Sequence, residues 1–420
     1  MSTPSIKVGQ GNWGIKVGNL LGYANTEKKF SPVEFTSTRA LNTATRVNAS
    51  GNIQAVNADI PRIDYFGGQA SLLVEPSSIN SMLYSQAINS WTKSELTITD
   101  NFAISPDGTQ NASYIQQTTG GNVVNLQSAG VNISSGQAQS VTFFAKAAQI
   151  TSLTLRFGTT SLWAGSVRPQ FTLNLTNGAV TLNAGTATVS SQSVGNGWYR
   201  YSIVTPATLA SGQTTIQTVT NTIFSPNSGD GFYLWGVQWE QNTSTPTSYI
   251  PTTTGTVTRN ADVVSVTGVA GLIGQTEGTI YAEVVLSRVN SNQIISLGSA
   301  NDRIAIFFDS STGIYALIRV GATNADYNAT IPAIPATGGV YKIALAYKAN
   351  DYCFAVNGVA YNPSTASRGV PANMSAVYLG ASVFSTGQLN DRIRAASIYQ
   401  TRLPNTTTDG SPSLQSITTL

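Results

Sequence analysis

Apolar and polar residues alternate along most of the chain, and this period of two predicts β-strands rather than helices. Within residues 81–251, Gly, Asn, Ser or Pro turns separate the apolar segments at the spacing typical of sandwiches, roughly 8–12 residues. This part of the chain predicts a two-sheet jelly roll. Helical periodicity is scarce, and its best example is the C-terminal SLQSITTL. The predicted strands are NVVNLQ, SVTFFAKA, SLTLRFG, PQFTLNLT, WYRYSIVT, TIQTVTN and GFYLWGVQWE.

The same pattern returns in residues 262–420 and predicts a second β-sandwich. Between the two predicted domains, residues 252–261 follow Pro246 and Pro251. Because proline favours extended backbone, we expect a connector of limited flexibility there. The predicted strands of the second sandwich are GTIYAEVVLSR, NQIISLGS, DRIAIFFDS, GIYALIRVG, VYKIALAYKAN, DYCFAVNGVAY, AVYLGAS and DRIRAASIYQTRL.

Residues 1–80 contain only short extended pieces, interrupted by Asn-Ala-Ser-Gly, by Ile60-Pro61 and by Gly67-Gly68. Such a segment cannot close a core alone. We expect an N-terminal anchoring arm that lies along another surface, with a flexible arm as the alternative. The predicted fold is therefore all-β: an extended N-terminal arm followed by two β-sandwich (jelly-roll) domains.

The composition argues against several classes of function. Charged residues make up 10% of the chain, against roughly a quarter in an average soluble protein. The net charge is +3, and the basic residues are scattered rather than clustered, so nucleic acid is not an expected partner. No stretch approaches the about 18 apolar residues of a membrane span, and the start lacks the features of a signal peptide. We therefore expect synthesis in a cytoplasm and no membrane insertion.

Histidine is absent, which removes the commonest general base and the commonest metal ligand. The single cysteine, Cys353, lies in apolar alternation and is predicted to be buried core. No D-x-D-x-D-G loop occurs, and Glu240 and Glu283 have no acidic neighbour at the spacing expected on a strand. A glycosidase needs two carboxylates about 5–10 Å apart, so we expect no catalytic residue, no metal, no cofactor and no enzymatic activity.

Several motifs in series resemble those of bacteriophage virion proteins. The leader STRALNTATRVNASGNIQAVNADIPRIDY resembles a phage leader, and GNGWYRYSI and GFYLWGVQWE belong to a module similar to the carbohydrate-binding jelly rolls of phage fibres. The last module, with ISLGSANDRIAIFF and LNDRIRAASIYQTRLPN, resembles a concanavalin A-like lectin/laminin-G sandwich. The resemblance covers residues 31–404. The usual tyrosine-rich ending of the leader is replaced by SSINSMLYS, and the loop after Pro404 is longer than usual.

The resemblance implies a non-enzymatic virion fibre or decoration protein of the head or tail. Its arm would contact other virion proteins, and its sandwiches would make weak contacts with host-surface polysaccharide. Resembling fibres are commonly homotrimers, so a homotrimer assembled in the host cytoplasm is expected. The alternatives are a dedicated receptor-binding lectin or adhesin and a glycan depolymerase.

Sugar binding in such modules uses flat aromatic faces with amide or carboxylate partners. In GFYLWGVQWE, alternation places Tyr233, Trp235, Val237 and Trp239 on one face, and we interpret all of them as core. Trp198 and Tyr201 are also predicted to be core. The predicted carbohydrate-binding residues are Trp163 as an exposed platform, Tyr199 on an exposed strand face, and Tyr315, Asp326 and Tyr327 on loops at one rim of the second sandwich.

Overall fold

The chain divides into two compact units, and the second is inserted into the sequence of the first. Unit 1 comprises Met1–Asn42, Val56–Ser77 and Asn260–Leu420, and unit 2 comprises Thr43–Ala55 and Ser78–Arg259. The structure is a computed structural model. It describes residues 3–9, 13–26, 29–219, 222–225, 227–286, 292–309, 313–321, 327–330, 339–364 and 369–419.

The described elements are almost all β-strands, as the period of two predicts. The N-terminal strands are β1 (Ile6–Gly9), β2 (Gly14–Lys16), β3 (Asn19–Thr26), β4 (Lys29–Thr38), β5 (Ala44–Val47), β6 (Ile53–Val56), β7 (Arg62–Asp64) and β8 (Ser71–Val74). The middle strands are β9 (Ser78–Asn80), β10 (Thr92–Ser94), β11 (Leu96–Ile104), β12 (Gln110–Gln117), β13 (Asn125–Gln127), β14 (Val131–Ile133), β15 (Gln139–Ala147), β16 (Ser152–Phe157), β17 (Gln170–Asn174), β18 (Val180–Ala184), β19 (Thr188–Ser193), β20 (Tyr199–Thr205), β21 (Gly212–Thr214), β22 (Ile216–Thr218), β23 (Gly231–Gln241) and β24 (Val257–Arg259). The last elements are β25 (Val263–Thr267), β26 (Glu277–Leu286), β27 (Asn292–Gly298), β28 (Arg303–Asp309), β29 (Gly313–Arg319), β30 (Tyr327–Thr330), β31 (Gly339–Lys348), β32 (Tyr352–Val356), β33 (Val359–Ser364), β34 (Ala376–Leu379), β35 (Asp391–Tyr399) and the helix α1 (Leu414–Thr418).

Unit 1 is a sandwich of two antiparallel sheets. One sheet runs β33, β32, β31, β26, β35, and β35 then pairs with both β1 and β8. The other runs β4, β25, β34, β27, β28, β29, β30. Ile280 and Phe354 of the first sheet pack in one core with Ile304 and Leu379 of the second. The predicted β-sandwich of this part of the chain is confirmed.

The C-terminal segment covers the other face of the first sheet. Leu403 and Leu414 pack there against Ala344 and Cys353, and Cys353 is fully buried, as predicted. The predicted C-terminal helix is α1, whose first turn is capped by the Ser413 side chain. Among the residues that the structure describes, no helix is long and apolar enough to cross a membrane.

The N-terminal residues do not form the predicted arm over residues 1–80. Strand β1 pairs with β35 from Ile6, opposite Ile398, to Gly9, opposite Ala395, and β4 pairs with β25. Ile6, Leu20 and Phe35 are buried in the core of unit 1. The reason is backbone pairing: these strands supply hydrogen-bond partners and apolar side chains that unit 1 needs to close its sheets.

The predicted connector over residues 252–261 and the predicted domain starts at 81 and 262 are corrected as well. Strand β24 pairs with β9, with Val257 opposite Asn80 and Arg259 opposite Ser78. Thr252 donates its hydroxyl to Met82 O and accepts from the backbone N–H of Ser85. Residues 252–259 are therefore part of unit 2, because their backbone and hydroxyl groups are bonded there.

A buried cluster of charges lies where the chain of unit 1 leaves for unit 2 and returns. Arg39 donates Nη1 to Asp262 Oδ1 at 3.0 Å, and Arg62 binds both oxygens of the same carboxylate. Arg62 also donates Nη1 to Glu75 Oε2 at 2.8 Å, and the backbone N–H of Glu75 lies 2.9 Å from Asp262 Oδ2. The four side chains are at most 2% exposed.

The pKa values of the two arginines in this cluster shift in opposite directions, because burial and the neighbouring carboxylates act on each pKa to a different extent. Burial lowers the pKa of Arg39, and Asp262 offsets this only in part. Burial also opposes the charge of Arg62, but there Asp262 and Glu75 together raise the pKa above its ordinary value. Both carboxylates are thus fully committed to holding buried guanidinium groups.

Unit 2 is a two-sheet jelly roll, as predicted. One sheet runs β10, β13, β22, β16, β17, β18, and the other runs β11, β12, β23, β15, β20, β19. Phe143, Phe157, Tyr201 and Trp239 fill the core between them. The second of these sheets has one face in the core, and we call its other face the outer face.

A β-bulge in β23 overturns the predicted alternation in GFYLWGVQWE. Thr142 pairs with Gln238 but Phe144 pairs with Trp235, so β23 carries one residue more than β15 here. Gly236 takes up this residue with a positive φ of 63°, which glycine adopts without a steric cost. As a result Tyr233 and Trp235 lie on the outer face, and Val237 and Trp239 lie in the core.

We predict that Asp262→Ala destabilises unit 1 by about 3–5 kcal/mol, because it leaves two buried guanidinium groups without their shared carboxylate. Scanning calorimetry of the full chain measures this as a lower transition temperature. Glu34→Ala is the matched control, since it removes the exposed Lys16–Glu34 pair at 2.9 Å, and its transition should stay in place. Equal shifts in the two variants would contradict the prediction.

We predict that Gly236→Ala destabilises unit 2 by about 1–3 kcal/mol. Alanine would have to adopt a positive φ at this position, and its Cβ would lie 2.9 Å from Phe144 Cδ2. Gly165→Ala is the control, because Gly165 has a φ of 66° but no atom within 4 Å of the added Cβ. Every tryptophan except Trp13 belongs to unit 2, so urea unfolding followed by fluorescence reports both variants. If Gly165→Ala lowered the free energy of unfolding as much as Gly236→Ala, the contact with Phe144 would not be the cause of the destabilisation.

Candidate functional site

The register of unit 2 places a row of side chains across four neighbouring strands of the outer face. Thr99 of β11 pairs with Tyr114 of β12, Tyr114 pairs with Tyr233 of β23, and Tyr233 pairs with Lys146 of β15. Neighbouring strands lie about 4.8 Å apart, so the row extends roughly 14 Å across the sheet. Two aromatic rings and one cation therefore share one side of the sheet.

A second bulge adds a third ring to this row. The register of β11 shifts between Thr99 and Ala103, and Asn101 has a positive φ of 56°. The bulge directs Phe102 toward Tyr114, with ring centroids 4.9 Å apart, and toward Tyr233, at 6.4 Å. Bulges at sheet edges commonly redirect a side chain in this way. Phe102 remains 49% exposed.

We call Phe102, Tyr114 and Tyr233 the aromatic patch. The Tyr114 and Tyr233 centroids are 5.2 Å apart, so the three rings form a compact triangle. The Tyr114 ring lies directly against the backbone of β23 at Gly231. A Cβ added to Gly231 would be 2.5 Å from the Tyr114 Cζ. The missing side chain of Gly231 is what lets the ring approach the backbone of the sheet.

Hydrogen bonds fix the Tyr114 ring. Its hydroxyl lies 3.1 Å from Gln149 Oε1 and 3.2 Å from the Gly229 carbonyl oxygen. Burial, with smaller contributions from Tyr233 and Asp230, raises the pKa of Tyr114 above its ordinary value. The phenol is therefore a neutral donor at physiological pH.

The other half of the outer face is buried. Trp198 donates Nε1 to the Ile104 carbonyl oxygen at 3.1 Å, and its ring lies 6.4 Å from that of Tyr233. It packs in a buried cluster with Phe144, Trp235 and Tyr249. Trp198 thus closes one side of the aromatic patch.

Amide side chains surround the aromatic patch. Gln116 donates Nε2 to the Gly229 carbonyl at 2.9 Å, and Gln110 donates Nε2 to the Asn101 carbonyl at 3.0 Å. Gln149 is exposed, and its carbonyl oxygen accepts from Tyr114. Aromatic faces with amides at their border can stack on the apolar face of a sugar ring and bond its hydroxyl groups.

Trp163, predicted to be an exposed platform, is buried at 3% exposure. Its ring lies 5.3 Å from that of Phe157 in the core of unit 2, and its Nε1 donates to the Gly158 carbonyl at 3.0 Å. The segment turns inward because the core takes up the indole while the turn satisfies its N–H. Trp163 offers no platform to a ligand.

Tyr199 does not lie on an exposed strand face either. It is half-buried on the same side of β20 as Tyr201, with the ring centroids 6.3 Å apart. It covers Gly178 and donates its hydroxyl to the Thr176 carbonyl at 3.1 Å. Trp198 and Tyr201 are buried, as predicted.

Of the rim predicted in unit 1, the structure describes the Tyr315 side chain, and this residue is in a strand rather than a loop. Tyr315 lies within β29 and pairs with Phe307 of β28, with ring centroids 4.5 Å apart. Tyr327 begins β30, where its backbone pairs with Ile318, and its side chain lies outside the described residues, as does Asp326 altogether. Tyr315 is in a strand because the alternation of GIYALIRVG continues through it.

Sequence reasoning missed the aromatic patch. Tyr233 was assigned to the core, because uninterrupted alternation was assumed through Gly236. Phe102 and Tyr114 lie in segments not singled out as strands. The alternation in NASYIQQ, with Ile115 buried beside Tyr114, is the signal that could have identified β12.

Within the described ranges, no group of three or more acidic or cysteine side chains could hold a metal ion. No family model matches the chain, and no curated protein matches it. Several solved structures show a weak likeness. A SAP-like pentraxin of Limulus polyphemus is 11% identical, covering 34% of this chain and 69% of the pentraxin, with a TM-score of 0.26.

Two further likenesses extend over more of the chain. Domains LG4–5 of the mouse laminin α1 chain are 11% identical, covering 68% of this chain and 88% of that one, with a TM-score of 0.25. Trypanosoma rangeli sialidase in complex with the inhibitor DANA is 10% identical, covering 92% and 80%, with a TM-score of 0.28. At TM-scores below 0.5, none of these likenesses carries an argument about the function of this chain.

The comparison changes two expectations from the sequence. Laminin and pentraxin domains are among the similar structures, but none of the three is a phage protein, so the phage resemblance gains no support. The expectation of no enzymatic activity is withdrawn, since a sialidase is among the similar structures; this weak likeness assigns no activity to the chain.

Proposed function

We propose that the protein binds carbohydrate through the aromatic patch of unit 2. The observation that carries the proposal is Phe102, which is 49% exposed although two aromatic rings lie within 6.4 Å of it. A large apolar side chain in water is unfavourable. A ligand that covers the ring recovers this free energy on binding.

The surroundings of the aromatic patch favour a sugar over a purely apolar ligand. Gln110, Gln116 and Gln149 border the rings, and the Tyr114 phenol stays protonated. Sugar rings combine an apolar C–H face with hydroxyl groups at their edge, which matches stacked rings bordered by amides. The chemistry of the site and the jelly-roll fold of unit 2 support the same function.

We further propose, from the sequence resemblance alone, that the chain is a fibre or decoration protein of a phage virion, on the head or tail. In this proposal it is a homotrimer that contacts other virion proteins through its N-terminal residues, and its sugar contacts are with host-surface polysaccharide. Because β1, β3 and β4 are built into unit 1, the particle would contact a folded surface rather than a free arm.

We predict that Phe102→Ala weakens polysaccharide binding about tenfold, or ~1.4 kcal/mol, because it removes the most exposed ring of the aromatic patch. Affinity electrophoresis of the full chain in gels containing neutral or acidic polysaccharides measures this. Phe384→Ala is the matched control, since Phe384 is 55% exposed in unit 1. Phe102→Trp should retain binding. The proposal fails if no polysaccharide retards the wild type, or if both alanine variants lose affinity equally.

The proposed location predicts that antibodies against this chain label purified phage particles at discrete positions on the head or tail. Negative-stain electron microscopy with gold-labelled antibody reads this out, and antibody absorbed with the recombinant chain is the control. Unlabelled particles from a lysate that contains the protein would exclude a virion location. Sugar binding by unit 2 would be unaffected by that result.

A further inference from the structure

We infer that the aromatic patch takes a carboxylate-bearing polysaccharide and that Lys146 binds the carboxylate. The inference rests on the proposed sugar binding and narrows it to a ligand class. Lys146 lies in the same cross-strand row as Tyr114 and Tyr233, directly opposite Tyr233. Two strand spacings separate Tyr114 from Lys146, about 10 Å, which a disaccharide can span.

The stem of Lys146 lies beside a neighbouring turn, and its ammonium forms no ion pair among the residues that the structure describes. Its aliphatic stem lies beside Gly197, where a Cβ would be 3.4 Å from the Lys146 Cε. The side chain is half-buried. In the part of the chain that the structure describes, no carboxylate lies within ion-pair distance of its Nζ.

Two acids in the neighbouring chain segments, Asp230 and Asp100, accept hydrogen bonds from groups other than Lys146. Asp230 accepts from the Ser225 hydroxyl at 2.5 Å and from Asn227 Nδ2 at 3.3 Å. Asp100 accepts from the Ser113 hydroxyl at 2.6 Å, and Ser113 alternates with Tyr114 along β12, so Asp100 is on the other side of the sheet. Neither acid neutralises Lys146.

A partly desolvated ammonium without a counter-ion is unfavourable, and a ligand carboxylate would offset this cost through a charge-assisted hydrogen bond. One sugar residue would stack on the aromatic patch while its neighbour presents the acid to Lys146. A neutral chain could still stack, but it would leave the ammonium unpaired. The site should therefore prefer an acidic chain to a neutral chain of the same backbone.

The test compares polymers that differ only in their acid groups: polygalacturonate, alginate and hyaluronate, each beside its carboxyl-reduced form. In affinity electrophoresis, the wild type should bind at least one acidic polymer about tenfold more tightly than its reduced form. Lys146→Gln should abolish this preference, so that the variant binds the acidic and the reduced polymer equally. Lys93 is a half-buried lysine on the opposite sheet, so Lys93→Gln should keep the preference for the acidic polymer. Added salt should weaken this preference in the wild type and in Lys93→Gln, which both keep Lys146.

The outcomes separate this inference from the proposed function. Equal affinity for acidic and reduced polymers, lost in Phe102→Ala, would overturn the role of Lys146 and leave sugar binding in place. A preference for acid that survives in Lys146→Gln would also overturn it. Failure of every polymer to bind would overturn both proposals together.

Discussion

The Asp262 carboxylate is the point on which the architecture of unit 1 depends. It receives Arg39 from the N-terminal segment and Arg62 from β7, while the Asp262 N–H donates to the Glu75 carbonyl at 3.0 Å. Glu75 is close to the residue where the chain leaves for unit 2, and Asp262 is close to the residue where it returns. One set of ion pairs thus joins, within unit 1, the three chain segments that flank the two inserted segments of unit 2.

Buried ion pairs gain little net free energy, because desolvation roughly cancels the Coulomb attraction. Their effect here is on which chain arrangement can form. Any register that moved Asp262 away would leave the fully buried Arg39 without an ion pair and Arg62 with Glu75 as its single carboxylate partner in the cluster, and a buried charge without its partner is costly. The cluster therefore selects the arrangement in which residues before and after unit 2 belong to one sandwich.

Local pattern predicted the strands and the two sandwiches, but not how distant segments combine. The pieces around Ile6, Leu20 and Phe35 are too short to indicate a core, and only their pairing with β35 and β25 shows where they belong. Arg39 and Asp262 are 223 positions apart, beyond what periodicity can detect. Conversely Trp239 and Cys353 were recognised as core, because apolar neighbours on both sides leave no solvent face.

The aromatic patch was missed because bulges break the period of two. Gly236 was readable as a possible bulge, but its consequence, that Tyr233 and Trp239 face opposite sides, needs the pairing with β15. The prediction that Trp163 is exposed was wrong for a different reason. Its turn-like sequence indicated exposure, whereas the large ring and its satisfied N–H placed it in the core.

The bulge at Asn101 has an explanation that does not involve a ligand. Strand β11 is at the edge of its sheet, and a bulge there prevents pairing with another chain. That role requires the positive φ of Asn101, but it requires no aromatic residue at 102, where a polar side chain would protect the edge better. The phenylalanine works against protection of the edge, since it adds exposed apolar surface beside unpaired backbone. Its position over Tyr114 and Tyr233 is therefore the feature that the proposed carbohydrate ligand would explain, because such a ligand would cover the ring.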